Sequence, residues 1–228
     1  ASSTGNIATF NGVNNAAMPI TATITVTPTF TNGGVSCTGT SQTFTITVNP
    51  TANINALNDH VLCNGASFAE VAPTTTATGG TVTYAWTNNT TSIGLAASGT
   101  GNIAPFTATN ATAAPVTATI TVTPQLGACS GTQITFTITV NPAVIVNPIS
   151  NQSVCRGSAT APVDFTGPVA NTVFNWTNNN TTIGLAASGT GNIASFIAQN
   201  ATAIPQVATI TVTPVYSPNG PATPVVTT

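Results

Sequence analysis

Residues 97–124 read ASGTGNIAPFTATNATAAPVTATITVTP, and residues 187–214 read ASGTGNIASFIAQNATAIPQVATITVTP. The two stretches agree at 22 of 28 positions, so the chain carries an internal duplication. A third copy, ASSTGNIATFNGVNNAAMPITATITVTP, fills residues 1–28. Successive copies start 96 and then 90 residues apart. A solenoid coil takes only about 20–50 residues, whereas a β-sandwich domain takes about 100. The period therefore points to whole domains in tandem.

Each copy ends in ATITVT, and its alternation is strict. Ala22, Ile24 and Val26 face one side of a strand while Thr23, Thr25 and Thr27 face the other. A second alternating run follows, with Phe44, Ile46 and Val48 inward. The pair recurs as Ile120 and Val122 with Phe136, Ile138 and Val140. Asn32-Gly33-Gly34 and the stretch from Gly127 to Gly131 supply the turn chemistry of hairpins between them. No segment keeps a 3.6-residue period. The fold class is all-β, a tandem of immunoglobulin-like β-sandwich domains.

The equivalent runs TFTITVNP end at Asn49-Pro50 and Asn141-Pro142, which places the boundaries. Residues 1–49 are then the C-terminal half of one repeat and 50–141 a complete one. Residues 142–228 are a third whose last strand is incomplete or divergent. Because half a sandwich cannot bury a core alone, the natural protein is expected to continue upstream, with its leader and any anchor outside this stretch. Within 50–141 the pattern predicts strands near Asn53–Leu57, Phe68–Thr76, Val82–Thr87 and Phe106–Thr109, with a looser stretch over Ser92–Ile103. A final hairpin pairs Val116–Thr123 with Thr135–Val140. Trp86 and Trp176 occupy one repeat position, flanked by β-formers, where such sandwiches place a core aromatic. A sugar-stacking platform is the less economical reading.

Composition narrows the function. Charged residues are 2% of the chain, with Arg156 its one cation and Asp59, Glu70 and Asp164 its acids. Nucleic acid is excluded as a partner, since neutralising phosphates takes several Lys or Arg. The same shortage excludes electrostatic docking on a membrane. The hydrophobic fraction of 41% is nevertheless that of a folded protein. Thr, Asn and Ser must supply solubility.

Catalysis needs converging titratable groups. Asp59 and His60 are adjacent in an expected loop, have no counterpart at Ser150-Asn151-Gln152, and read as a solvated pair. No nucleophile elbow exists, so no enzyme activity and no cofactor is expected. Calcium sites use several carboxylate oxygens; Asp59 or Glu70 with amide oxygens offers at best a weak one. Zinc lacks a close cysteine pair. The triplets starting at Asn88, Asn110, Asn179 and Asn200 match a glycan-acceptor pattern, which chance supplies in so Asn/Thr-rich a chain, and are compatible with surface loops.

The four cysteines, Cys37, Cys63, Cys129 and Cys155, fall two per repeat, which in an exported protein suggests disulfides. Cys63–Cys129 is one candidate within the complete domain. Against it, immunoglobulin strand order puts their loops at opposite ends, beyond the roughly 7 Å a bridge tolerates between Cα atoms. The other candidate is a bridge across a junction, from the loop bearing Cys63 to the last hairpin of the next domain. That hairpin reads SPNGPATP here and has no cysteine.

The run WTNNTTSIGLAASGTGNIAPFTATNATAAPVTATITVTP, followed by Cys-x-Gly-Thr and TFTITVNP, resembles the PKD-like repeats of giant surface adhesins of gliding Bacteroidota, the SprB-type gliding-motility adhesins. The resemblance covers nearly the whole chain. It implies type IX secretion and an extracellular, outer-membrane-attached filament moved along the cell by the gliding machinery. The leading expectation is thus a structural stalk whose partners are neighbouring repeats, the gliding and secretion machinery, and an extracellular polysaccharide or substratum. The alternatives are a glycan-binding repeat, for which Tyr84, Tyr216 and a few Phe are the candidate aromatics, or an accessory sandwich of a secreted hydrolase.

Overall fold

A computed structural model describes residues 3–218. In chain order the strands of the first unit are β1 (Ile20–Val26), β2 (Thr29–Asn32), β3 (Val35–Thr38) and β4 (Gln42–Val48). The middle unit holds β5 (His60–Cys63), β6 (Ser67–Phe68), β7 (Val82–Asn88), β8 (Ser98–Thr100), β9 (Phe106–Thr107), β10 (Val116–Leu126), β11 (Cys129–Ser130) and β12 (Ile134–Asn141). The third unit holds β13 (Thr172–Asn178), β14 (Ser188–Thr190) and β15 (Ile210–Tyr216). The only helical elements among the described residues are two three-residue 3-10 turns, Thr91–Ile93 and Thr181–Ile183.

The middle unit is a two-layer sandwich. One layer runs β5-β12-β10-β7-β8, with β10 at its centre and β11 folding back on the end of β10. The other is thin: β6 pairs with β9, and Val71 bridges Ile103. Between them lie Phe68, Trp86, Ile93, Ile103, Ile120, Val122, Phe136, Ile138 and Val140. Val, Ile and Thr form these strands because branched side chains pack well on a pleat. Apolar members turn inward, and the threonines pair outward across strands, as in Thr117 Oγ1 to Thr139 Oγ1 at 2.9 Å.

Two expected strands differ. The first regular strand is β5, not Asn53–Leu57. Segment 53–57 touches the thin layer through isolated bonds such as Asn55 N–H to Thr74 O (2.9 Å), whereas β5 adds in parallel to the edge of β12. The expected strand Phe68–Thr76 reduces to β6 plus the Val71 bridge, because Pro73 lacks the N–H a ladder needs.

The first unit repeats the β10–β12 hairpin as β1 and β4, and the fold-back of β11 on the end of β10 as β2 and β3. Ile24 faces Phe44 just as Ile120 faces Phe136. Among the described residues no second layer covers it, and Phe44 is 45% exposed where Phe136 is 2%.

Candidate functional site

The chemistry-bearing side chains are asparagines at strand ends, tryptophans on glycines, and cysteines, and the first two recur from unit to unit. Asn88, at the end of β7, donates from Nδ2 to Leu95 O (3.0 Å) and Ala96 O (3.3 Å) and accepts from Thr90 N–H (2.9 Å). Asn178 repeats this on Leu185 O, Ala186 O and Asn180 N–H. Next to them, Asn89 and Asn179 each accept the backbone N–H of the ATITVT strand, from Thr119 and Thr209, at 2.8 Å.

A second clamp precedes that strand. Asn110 donates to Ala114 O (2.8 Å) and Val140 O (2.7 Å) and accepts from the Thr112 N–H and hydroxyl. It thereby pins the last strand to the loop leading into β10. Asn14 does the same, reaching Met18 O and Val48 O, both at 2.8 Å. Asn200 bonds Ile204 O and accepts from Thr202, but among the described residues it reaches no strand carbonyl. Asn88 and Asn110 are buried, so they are not the surface-loop residues that the triplet pattern allowed. A buried amide holding two carbonyls satisfies groups that would otherwise be costly orphans.

Trp86 and Trp176 are both 7% exposed. Each indole lies flat against a glycine of the SGT strand. A Cβ on Gly99 would come 2.2 Å from Trp86 Cζ2, and one on Gly189 would come 2.3 Å from Trp176 Cζ2. That close approach explains the glycine in the repeated ASGTGN motif. Trp176 Nε1 donates to Gly191 O at 3.1 Å, while Trp86 Nε1 is buried without a partner.

His60 is not a solvated loop residue. It opens β5, half-buried, edge-on to Phe68 (ring centroids 5.0 Å apart) and Phe136 (6.0 Å). Its neighbour Asp59 accepts Thr137 N–H at 2.7 Å, and that bond, then the Thr137 hydroxyl and the His60 charge, hold its carboxyl below the ordinary 3.8. Glu70 accepts from Asn102 instead. Among the described residues no three His, Cys, Asp or Glu side chains gather where a metal ion could sit. Every ring contact among the described residues involves core aromatics or His60. Tyr84 is half-buried against the middle core, and that burial raises its hydroxyl pKa.

All four cysteines are free and exposed. Cys63 sits opposite Asn141 at one end of the main sheet, and Cys129 sits opposite Leu126 at the other. The span of β10 between those ends is about 33 Å at the usual rise per residue, so the structure does not bring Cys63 and Cys129 together. Cys37 lies in β3 opposite Phe30.

Hydrogen bonds from one loop of the middle unit reach the first unit. Thr78 donates both its N–H (2.7 Å) and its hydroxyl (3.1 Å) to Ala17 O. Gly79, at φ +91, lies so close to Pro19 that a Cβ would meet the ring. Among the described residues no hydrogen bond of this kind joins the loop at Asn110–Pro115 to the third unit.

No protein-family model matches the sequence, and no curated protein does. Among solved structures, the chain is similar to the protocadherin gamma B7 extracellular cadherin domains 1–4, at 10% identity and a TM-score of 0.33. The match covers 86% of this chain and 57% of that one, so this chain spans little more than half its length. The assignment of the fold, tandem immunoglobulin-like β-sandwiches, stands on the sheets themselves.

Proposed function

We propose that the chain is a stalk or filament segment of a secreted cell-surface adhesin, structural and non-enzymatic, serving gliding motility and attachment. The observation that carries this reading is the recurrence of one scaffold. The Asn88 and Asn178 clamps, the tryptophan–glycine contacts and the ATITVT strand return in successive units. A copied structural unit contributes length, and its stability adds roughly repeat by repeat. The Ala17–Thr78 contact supports limited bending at the first junction. Secretion by the type IX route, attachment at the outer membrane and contact with a polysaccharide or substratum follow from the sequence resemblance and belong to the same proposal.

Small-angle scattering on this chain tests the stalk. Each complete unit should add about 35–45 Å to the maximum dimension. Thr78→Val, which removes one of the two bonds to Ala17, should broaden the bend at the first junction. A compact particle, or units freely jointed already in the wild type, would contradict the reading. On the cell, removing these units in frame should shorten the surface filament and leave export intact.

A further inference from the structure

The outer face of the middle unit's main sheet is nearly uniform in its chemistry. Strands β12, β10, β7 and β8 place 14 residues on it, and 11 of them are Thr or Ser; the others are Ala85, Gln125 and Asn141. Strand propensity favours threonine, but it does not remove the charged side chains that make up about a quarter of an ordinary protein. The register aligns the hydroxyls. Ser98, Thr87, Thr121 and Thr135 lie side by side on four neighbouring strands, each exposed or half-buried. Neighbours in such a row are about 4.8 Å apart, and successive rows are about 6.8 Å apart. Branching at Cβ leaves each threonine few rotamers, so hydroxyls and methyls repeat with the backbone. The pattern returns in the other units, where Thr23 faces Thr45 and Thr177 faces Thr211. In the middle unit the sheet is described from one edge strand, β5, to the other, β8.

We propose that this threonine face binds ice, its ligand being the ordered water lattice at the surface of a crystal. Oxygen atoms on the prism face of ice repeat at close to the two distances of the hydroxyl array. Hydroxyls then take the place of lattice waters as hydrogen-bond partners, and methyls sit in the gaps between them. Water that bridges to a protein ordinarily loses freedom, whereas water already fixed in a crystal has little left to lose. The chemistry of the face disfavours other solids. With no charged outward position on these strands it offers a mineral or a polyelectrolyte no counter-charge, and with no outward aromatic it offers a sugar ring no stacking platform. The acid at its margin, Asp59, accepts the Thr137 N–H. The inference is separate from the stalk reading, which a chain that ignores ice would leave intact.

The test freezes part of a dilute solution of the whole chain slowly and compares its concentration in the ice and in the remaining liquid. Expected are enrichment in the ice and faceted crystals whose growth halts over a measurable temperature gap. Thr121→Tyr and Thr87→Tyr each put a bulky β-former on a different strand of the face. Both should abolish the enrichment and the gap while Trp86 fluorescence shows the fold retained. Thr107→Tyr, exposed on the opposite layer, should leave both properties unchanged. Exclusion of the wild type from ice overturns the proposal, and so does enrichment that neither face variant reduces. A wild type that is excluded from ice yet binds insoluble cellulose through Thr121 also overturns it, because the face then belongs to a polysaccharide.

Discussion

Replacing Asn110 by Ala separates a structural clamp from a surface residue. The change deletes four side-chain bonds, of which the one to Val140 O at 2.7 Å is buried. An orphaned buried carbonyl costs about 2 kcal/mol, and the lost turn bonds to Thr112 and Ala114 add about 1 kcal/mol net. The expected loss in the middle unit is therefore about 3 kcal/mol. Asn200→Ala removes the same turn bonds but no strand carbonyl, so it should cost only about 1 kcal/mol. The difference of about 2 kcal/mol is about 30-fold in opening equilibrium. Residue-resolved hydrogen exchange is the suitable assay, because a global melting curve would blend units of unequal stability. Amides of β10 and β12 should exchange about 30 times more readily, relative to wild type, in Asn110→Ala than those of β15 do in Asn200→Ala. Equal effects would refute the clamp. Asn110→Asp should be worse than Ala, since a carboxylate would then face two carbonyl oxygens.

Three further outcomes are expected. Gly99→Ala drives a methyl into the Trp86 ring and should destabilise the middle unit by about 1–3 kcal/mol; an unchanged Trp86 fluorescence transition would contradict that. Asp59 has a folded pKa depressed by Thr137 N–H, so its contribution is present above the ordinary 3.8 and is lost as pH falls through the lower folded value. Acid titration should therefore loosen the β5–β12 edge below about pH 4 in the wild type, whereas Asp59→Asn should remove that dependence; identical titrations would rule it out. Finally, all four cysteines of the isolated chain should alkylate without reductant, as their exposure requires. Mass spectrometry finding Cys63 joined to Cys129 would overturn the end-to-end separation described above.

What was legible in the sequence is what period-2 patterning encodes. Ile24 and Phe44, or Ile120 and Phe136, declare their faces through strict alternation with threonine, and their pairing follows from one hairpin. The thin layer was less legible, because Pro73 interrupts it and the two-residue β6–β9 pair and the single Val71–Ile103 bridge leave no periodic trace. The buried places of Asn88 and Asn110 were not legible, for a different reason. Asn110 meets Val140, 30 residues away, and no local pattern reveals a distant carbonyl. A usable signal did exist: Asn14, Asn110 and Asn200 stand at one repeat position, and Asn14-Asn15-Ala16 breaks the glycan triplet while keeping the asparagine. His60 likewise gains its place only when β5 lies beside β12, which puts its ring against Phe68 and Phe136.

The parallel pairing of β5 with β12 has a mechanical consequence. The chain enters the middle unit at the end where Ala52 lies against Gly131, and it leaves at Asn141 beyond the opposite end. Traction on the two termini therefore pulls β5 and β12 in opposite directions along their common axis. The bonds from Ile138–His60 to Asn141–Cys63 are loaded together, in shear, so none can peel before the others. Pulled at its ends, such a unit resists as a lap joint, whereas a hairpin pulled across its strands opens like a zip.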